Sequence, residues 1–311
     1  MLKIYGAGIT GLMAGCIFPN AQIFEANDEG AINHKAVLRF RNSSVGDALG
    51  IDFRQVRVHK GLWMEGKFVE PNIQLANLYS KKVIGKLADR SIWNLAPSDR
   101  FVAPENFIEQ MIERCSNRIE WSHKLNDIEL MAHAAHGGMA ISTLPMSLMA
   151  KFMLGEIVKS NDNTPSFQYA PIVVRRWRIM NSDVFQTIYF PSPNTTLYRA
   201  SITGDLLIAE YVNEYDESMD FELASAFGLS FMDNEIQNVD TTKQSFGKIA
   251  RIDDVWRKRF IFELTTKKNI FSAGRFAIWK NVLLDDVLHD LYVIKKLMNT
   301  TTYEKSLHIS K

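Results

Sequence analysis

Lys3-Ile4-Tyr5-Gly6-Ala7-Gly8-Ile9-Thr10-Gly11-Leu12-Met13-Ala14 constrains the fold more than any other stretch of the chain. It reads as a short apolar strand, a glycine turn and a helix. Gly6 lets the strand turn sharply, Gly8 leaves room for a pyrophosphate to approach the backbone, and Gly11 lets the helix pack closely on the strand. The helix N-terminus then presents N–H groups and a positive dipole end to phosphate. Ala21-Gln22-Ile23-Phe24-Glu25 reads as a second strand ending in a carboxylate. Gly6 and Glu25 are 19 positions apart, close to the roughly 20-residue spacing of a ribose-binding acid. A plain glycine turn with a surface Glu is the alternative, but the strand, helix and acid together favour a dinucleotide.

The 311 residues are 46% hydrophobic and 23% charged, enough apolar material for a large core. That length suits two lobes, or one dinucleotide-binding domain with an insertion. The net charge of +1 gives no global pull toward nucleic acid or an anionic membrane. Two cysteines, Cys16 and Cys115, make no disulfide framework and suit a reducing compartment. Cys16 falls on the apolar first helix as a small hydrophobe. The first strand begins at Leu2, which leaves no room for a signal peptide. The weakly charged run Ala134 to Ala150 is broken by Gly137, Gly138 and Pro145 and is short for a bilayer span. The expectation is a cytoplasmic protein without a membrane segment.

Further along, Pro19-Asn20 ends the first helix near Phe18. Phe53 to His59 alternates like a strand, and Leu62-Trp63-Met64 with Phe68-Val69 reads as a hairpin around Glu65-Gly66-Lys67. Asn72 to Gly85 fits a helix with Ile73, Leu75, Leu78 and Val83 inward. A helix follows Pro104, and strands are predicted at Ile119 to His123 and Met139 to Pro145. From Ser166 to Thr265 strands dominate: Ile172 to Ile179, Val184 to Phe190, Thr196 to Ile202 and Leu206 to Val212, with a helix at Met219 to Phe231 carrying Phe221, Leu223, Ala224 and Phe227. A strand and turn at Asn269 to Arg275 and a helix at Val282 to Leu297 close the chain. The predicted layout is a dinucleotide-binding domain from 1–165 and 266–311, with a small insertion at 51–110, and a mostly antiparallel substrate lobe at 166–265.

On one strand of that lobe stand Arg175, Arg176, Trp177 and Arg178. Alternation places Arg176 and Arg178 on one face and Arg175 and Trp177 on the other. Arginines suit a phosphate or carboxylate, and Trp or Tyr suits a base or sugar face. Arg176, Trp177 and Arg178 are therefore substrate-binding candidates, with solvated charges on an exposed strand as the alternative. His133-Ala134-Ala135-His136 has metal-pair spacing but no third ligand nearby, so no metal site is expected.

Read together, Gly6-Ala7-Gly8-Ile9-Thr10-Gly11 with Glu25, and Phe271-Ser272-Ala273-Gly274-Arg275-Phe276-Ala277-Ile278-Trp279-Lys280, resemble the FAD-binding folds of amine oxidases, protoporphyrinogen oxidases and UDP-galactopyranose mutases. Gly-Arg followed by an aromatic and a lysine looks most like the mutase branch, and Ile188-Tyr189-Phe190-Pro191 with Tyr198-Arg199 is similar to a segment of it. The chain also looks like small FAD proteins of bacteriophages, some of which belong to gene sets that modify DNA bases. The paired glycines that follow the ribose acid in amine oxidases are missing here.

The resemblance implies a Rossmann-type, glutathione-reductase-like FAD domain with an inserted, mostly antiparallel β lobe. It implies pyrophosphate at Gly8, Ile9, Thr10 and Gly11 beside Gly6, and adenosine ribose at Glu25 and Ala26. Thr143 would lie against the dinucleotide, Gly274-Arg275 against the ribityl chain or pyrophosphate, and the helix start at Leu283 against the pyrimidine end of the flavin. Arg39 is the arginine chosen to reach back to the pyrophosphate, with a solvated loop arginine as the equal alternative. Arg199, Tyr198 and Tyr189 are the catalytic candidates. A second glycine motif is missing, which favours an oxidase, a dehydrogenase reduced by its own substrate, or a redox-neutral flavoenzyme. Three functions follow: an amine-oxidising FAD enzyme acting on a small molecule, a redox-neutral flavoenzyme on a nucleotide sugar or modified nucleotide, and a non-catalytic FAD protein.

Overall fold

The computed structural model describes residues 1–30, 37–87, 92–130, 138–153, 164–230 and 236–300. In chain order the first elements are β1 (Lys3–Tyr5), α1 (Ile9–Ile17), β2 (Gln22–Phe24), β3 (Arg39–Phe40), α2 (Ser44–Leu49), β4 (Arg54–Met64), β5 (Lys67–Phe68) and α3 (Ile73–Ile84). There follow β6 (Ser98–Val102), α4 (Phe107–Cys115), β7 (Ile119–Glu120), β8 (Ala140–Ser142), α5 (Met146–Phe152), β9 (Tyr169–Ile179) and β10 (Val184–Tyr189). The last are β11 (Leu197–Gly204), β12 (Leu206–Val212), α6 (Met219–Phe227), β13 (Ile236–Ile249), α7 (Asp254–Lys268), β14 (Ile270–Ser272) and α8 (Leu284–Leu297).

The chain divides into two compact units, Met1–Phe53 with Ala103–Phe167 and Arg251–Lys311, and Arg54–Val102 with Gln168–Ala250. The sequence layout kept 51–110 with the first unit and ended the second at 265. The difference has a plain cause. β4 pairs in parallel with β10, which ties its segment to the second sheet, and α7 leads directly into β14 of the first.

The first unit is built on a five-stranded parallel sheet in the order β14-β8-β1-β2-β7. A parallel sheet is covered on both faces, so its strands are apolar throughout. Ile4, Ile23, Ile141 and Phe271 are accordingly buried. α1 is apolar nearly all round, which only a helix packed on several sides tolerates. Its last carbonyls accept from the Arg118 guanidinium, at Gly15 (3.2 Å) and Phe18 (3.4 Å), with Ala21 at 3.0 Å. A cation at a helix C-terminus also meets the negative end of its dipole.

The second unit is a sheet in the order β13-β9-β12-β11-β10-β4-β6, antiparallel except at β10–β4. Alternation along β9 divides its core. Val173, Trp177 and Ile179 pack with Phe190, Leu207 and Leu223 on the face that α6 covers, while Ile172 and Val174 pack with Leu75, Tyr79 and Val83 of α3. α3 starts at Asn72, whose side chain accepts the Leu75 N–H (3.0 Å), and Gly85 caps its end.

One inward assignment is corrected: Ile73 is 70% exposed, because it stands in the first helical turn before the packed stripe begins. Phe221, in the first turn of α6, is likewise exposed. β13 has no clear alternation and was not expected; it forms by pairing with β9 along most of its length. No helix among the described residues is long and apolar enough to cross a membrane. The His133–His136 pair lies outside the described residues.

Leu75 and Ile73 test this placement. Truncating buried Leu75 (Leu75→Ala) is expected to cost about 2–5 kcal/mol, and Ile73→Ala less than about 0.5 kcal/mol, measured by denaturant unfolding.

Candidate functional site

The glycine turn of the first unit is held by contacts that admit no side chain at two of its three glycines. Gly6 has φ +96°, and its N–H donates to Phe24 O (2.8 Å). A Cβ on Gly11 would stand 1.8 Å from Gly6 O. Thr143 Oγ1 faces Tyr5 O (2.9 Å) and Gly6 O (3.3 Å), so its hydroxyl fastens the turn. Gly8 is different. Its φ of −63° and ψ of 178° suit any residue, and nothing lies within 4 Å of a Cβ built there. The first closed bond of α1 is Leu12 N–H to Gly8 O (2.9 Å). The Ile9, Thr10 and Gly11 N–H groups stand ahead of it, as helix geometry requires. Open space thus lies above a helix N-terminus, the setting in which anions bind.

Glu25 closes the other side. It is buried, its Oε2 accepts the Ala7 N–H (2.7 Å), and its Oε1 accepts Asn27 N–H (3.0 Å) and Nδ2–H (2.6 Å). A carboxylate has about four acceptor positions, so a diol can still be received. Ala26 beside it is exposed. From the far end of the chain, Gly274 (φ +89°) comes so close to α1 that a Cβ would lie 2.6 Å from Thr10 Oγ1. Ile278 N–H to Gly274 O (3.0 Å) and Lys280 N–H to Arg275 O (3.1 Å) shape this turn. Arg275 is half-buried over the Phe276 ring (5.4 Å), and Arg39 is half-buried on β3.

The start of α8 is already capped. Leu283 N–H donates to Asp286 (2.9 Å), and Arg41 donates its N–H to Asp285 (3.0 Å) and its guanidinium to Asp286. Asp286 therefore receives the Leu283 N–H at the helix start that the resemblance sets against the flavin.

In the second unit, β11 carries a bulge between Leu197 and Arg199. Bulges re-aim side chains, and here two consecutive residues reach one carboxylate. Tyr198 Oη donates to Glu210 Oε1 (2.8 Å), and Arg199 Nε donates to Glu210 Oε2. Tyr198 is fully buried. Burial, and then the Glu210 carboxylate, push its phenol well above the usual range, so it stays a hydrogen-bond donor. Burial alone would raise Glu210; Arg199 foremost, with Lys248 and Tyr198, outweighs it and holds the carboxyl low. The Arg199 side chain is 42% exposed. Tyr189 is its cross-strand partner and meets Tyr79 edge-on at 5.6 Å.

The three substrate candidates on β9 are engaged within their own sheet. Arg176 is buried and bonded to Asp240 (2.7 Å) and Thr242 (3.0 Å), Arg178 pairs with Asp205 (2.6 Å), and Trp177 belongs to the core. Sequence reasoning missed Glu210 and Lys82. Glu210 is the one acid in an otherwise apolar strand, a legible sign of a buried partner. Lys82 Nζ donates among Phe190 O (3.0 Å), Ser192 O (2.7 Å), Thr195 Oγ1 (2.9 Å) and Leu197 O (2.5 Å), fixing the approach to Tyr198. Burial pulls Lys82 down to about 7, against the opposing charge of Glu222.

No family model matches this chain, and no curated protein does. Solved structures do. A protein from Pyrococcus furiosus aligns at TM-score 0.58 and 9% identity, over 96% of this chain and 98% of its own. An oxidoreductase from Methanosarcina mazei aligns at TM-score 0.55 and 8% identity, over 95% and 99%. The fold is shared with an oxidoreductase. PqsL of P. aeruginosa, solved with 2-aminobenzoylacetate, aligns at TM-score 0.51 and 11% identity, over 99% of this chain and 90% of that one.

Glu210 sets an acid dependence. Its folded value lies below the ordinary 4.5, so its contribution to stability is complete above that pH and is lost as pH falls through the folded value. Glu210→Gln should flatten this acid limb in unfolding curves taken between about pH 3 and pH 6.

Proposed function

We propose that the chain is an FAD-dependent oxidoreductase of the amine-oxidase kind, acting on an amine or amino-acid-like substrate that carries an anionic group. The observation that supports this reading most is Gly8, a glycine that no protein neighbour requires, standing open at the start of α1. The pyrophosphate of FAD would take that space, with the Ile9, Thr10 and Gly11 N–H groups as donors and Gly274 close by. Glu25 would accept the adenosine ribose hydroxyls, held in place for them by Ala7 and Asn27. Arg39 and Arg275 are the cations assigned to the phosphates. FAD, when bound, supplies an acceptor for a hydride from a substrate carbon.

The second unit is assigned the substrate. Arg199 spends Nε on Glu210, and its terminal NH2 groups are the donors left for a carboxylate or phosphate. Tyr189 offers an aromatic face beside it. Tyr198 acts through Glu210 as a positioning residue. Trp177, Arg176 and Arg178 hold the sheet on which these groups stand.

Two variants and one titration test the reading. Gly8→Val should fold and purify colourless, because a side chain fills the phosphate space; full flavin occupancy in that variant contradicts the placement. Arg199→Ala should keep its flavin and lose roughly 10- to 100-fold in kcat/KM, the value of a charge-assisted hydrogen bond. Anaerobic addition of amino acids and primary amines should bleach the yellow protein, with peroxide formed on admitting air. Activity seen only after dithionite reduction, without net electron consumption, would overturn the oxidase reading.

A further inference from the structure

The only two cysteines of the chain meet each other across 99 positions. Cys16 stands on α1 and is partly exposed, while Cys115 ends α4 and is buried. Their sulfurs are 3.9 Å apart. A disulfide is about 2.05 Å long, so bond formation asks the two sulfurs to close by about 2 Å. The helices already touch at this point, since a Cβ on Gly15 would lie 2.9 Å from Cys115 Sγ.

Arg118 stands beside the pair. Its NH2 group is 3.6 Å from Cys115 Sγ, and the same guanidinium is anchored on the carbonyls of Gly15 and Ala21. The hydrogen bond with Cys16, against burial and with the help of Arg118, brings the Cys115 thiol down to about 7. Cys16 is pushed up in return, by Cys115 first and then by burial. The two sulfurs hold one proton between them, either can be the donor, and Cys16 is the nearer to solvent. Neither sulfur has a part in the dinucleotide cradle or in the Glu210 cluster.

We propose that Cys16 and Cys115 are a reversible oxidation site, closing to an intramolecular disulfide when the protein meets a hydroperoxide. In the first step Cys16 passes its proton to Cys115, and the Cys16 thiolate, the sulfur nearer to solvent, attacks a peroxide oxygen. The S–O bond forms, and the O–O bond breaks with loss of hydroxide, or of alkoxide from an organic hydroperoxide. In the second step Cys115 Sγ attacks the Cys16 sulfenic sulfur. The S–S bond forms, the S–O bond breaks, and the departing hydroxide takes the Cys115 proton as water. Both cysteines are oxidised by one electron each, and the peroxide takes up the two electrons. The product would join α1 to α4 behind the glycine turn.

The test uses the purified full chain, reduced, desalted and exposed to hydrogen peroxide, then alkylated and digested without reductant for mass spectrometry. The expected product is a Cys16–Cys115 linked peptide, lighter by two hydrogens than the two thiol peptides together and lost on adding dithiothreitol. Cys115→Ser should leave Cys16 as a sulfenic acid that dimedone traps. Should that variant not fold, the wild-type peptide map decides alone. Retention of both thiols, conversion of Cys16 to sulfinic acid in the wild type, or a Cys16 crosslink between two chains would each overturn the proposal.

Discussion

The first unit depends on one close approach, that of Gly11 to the Gly6 carbonyl. A methyl group at Gly11 would overlap that oxygen outright, at 1.8 Å. The approach sets the angle at which α1 leaves β1, and the rest of the cradle is arranged around it. Glu25 reaches the Ala7 N–H from the next strand, Thr143 fastens the turn from the strand on the other side, and Gly274 closes against Thr10 from β14. Three strands that are distant in sequence thus converge on one helix N-terminus. Parallel pairing makes this possible, because all their C-terminal ends lie along one edge of the sheet.

The second unit solves a different problem, that of keeping an arginine half-exposed but fixed. A surface ion pair alone holds such a side chain weakly. Here Glu210 is itself fixed by the Tyr198 hydroxyl, and the bulge in β11 is what lets both residues reach it. Lys82 anchors the preceding loop by main-chain carbonyls. The cluster is polar, largely buried and internally paired, an arrangement that fixes geometry more than it adds net stability.

Features governed by neighbours in sequence were legible. The glycine spacing set β1, α1 and β2 within a residue or so, and Asn72 with Gly85 bounded α3, since caps and turns are local chemistry. Features governed by pairing were not. The arginines of β9 were visible, but Asp240 and Asp205 reach them only through the registers of β13 and β12, which no local pattern reveals. The polar strand β13 owes its form to its neighbour for the same reason. Arg41 and Asp286 are likewise far apart in sequence, and their pairing at the start of α8 could not be read from the helix itself.

The cofactor that the purified chain carries decides the matter most directly. Heat release, separation and quantitation of bound nucleotides from protein expressed in full should give FAD, approaching one equivalent per chain. Recovery of a nicotinamide dinucleotide, of FMN, or of no nucleotide even after incubation with excess FAD would contradict the account.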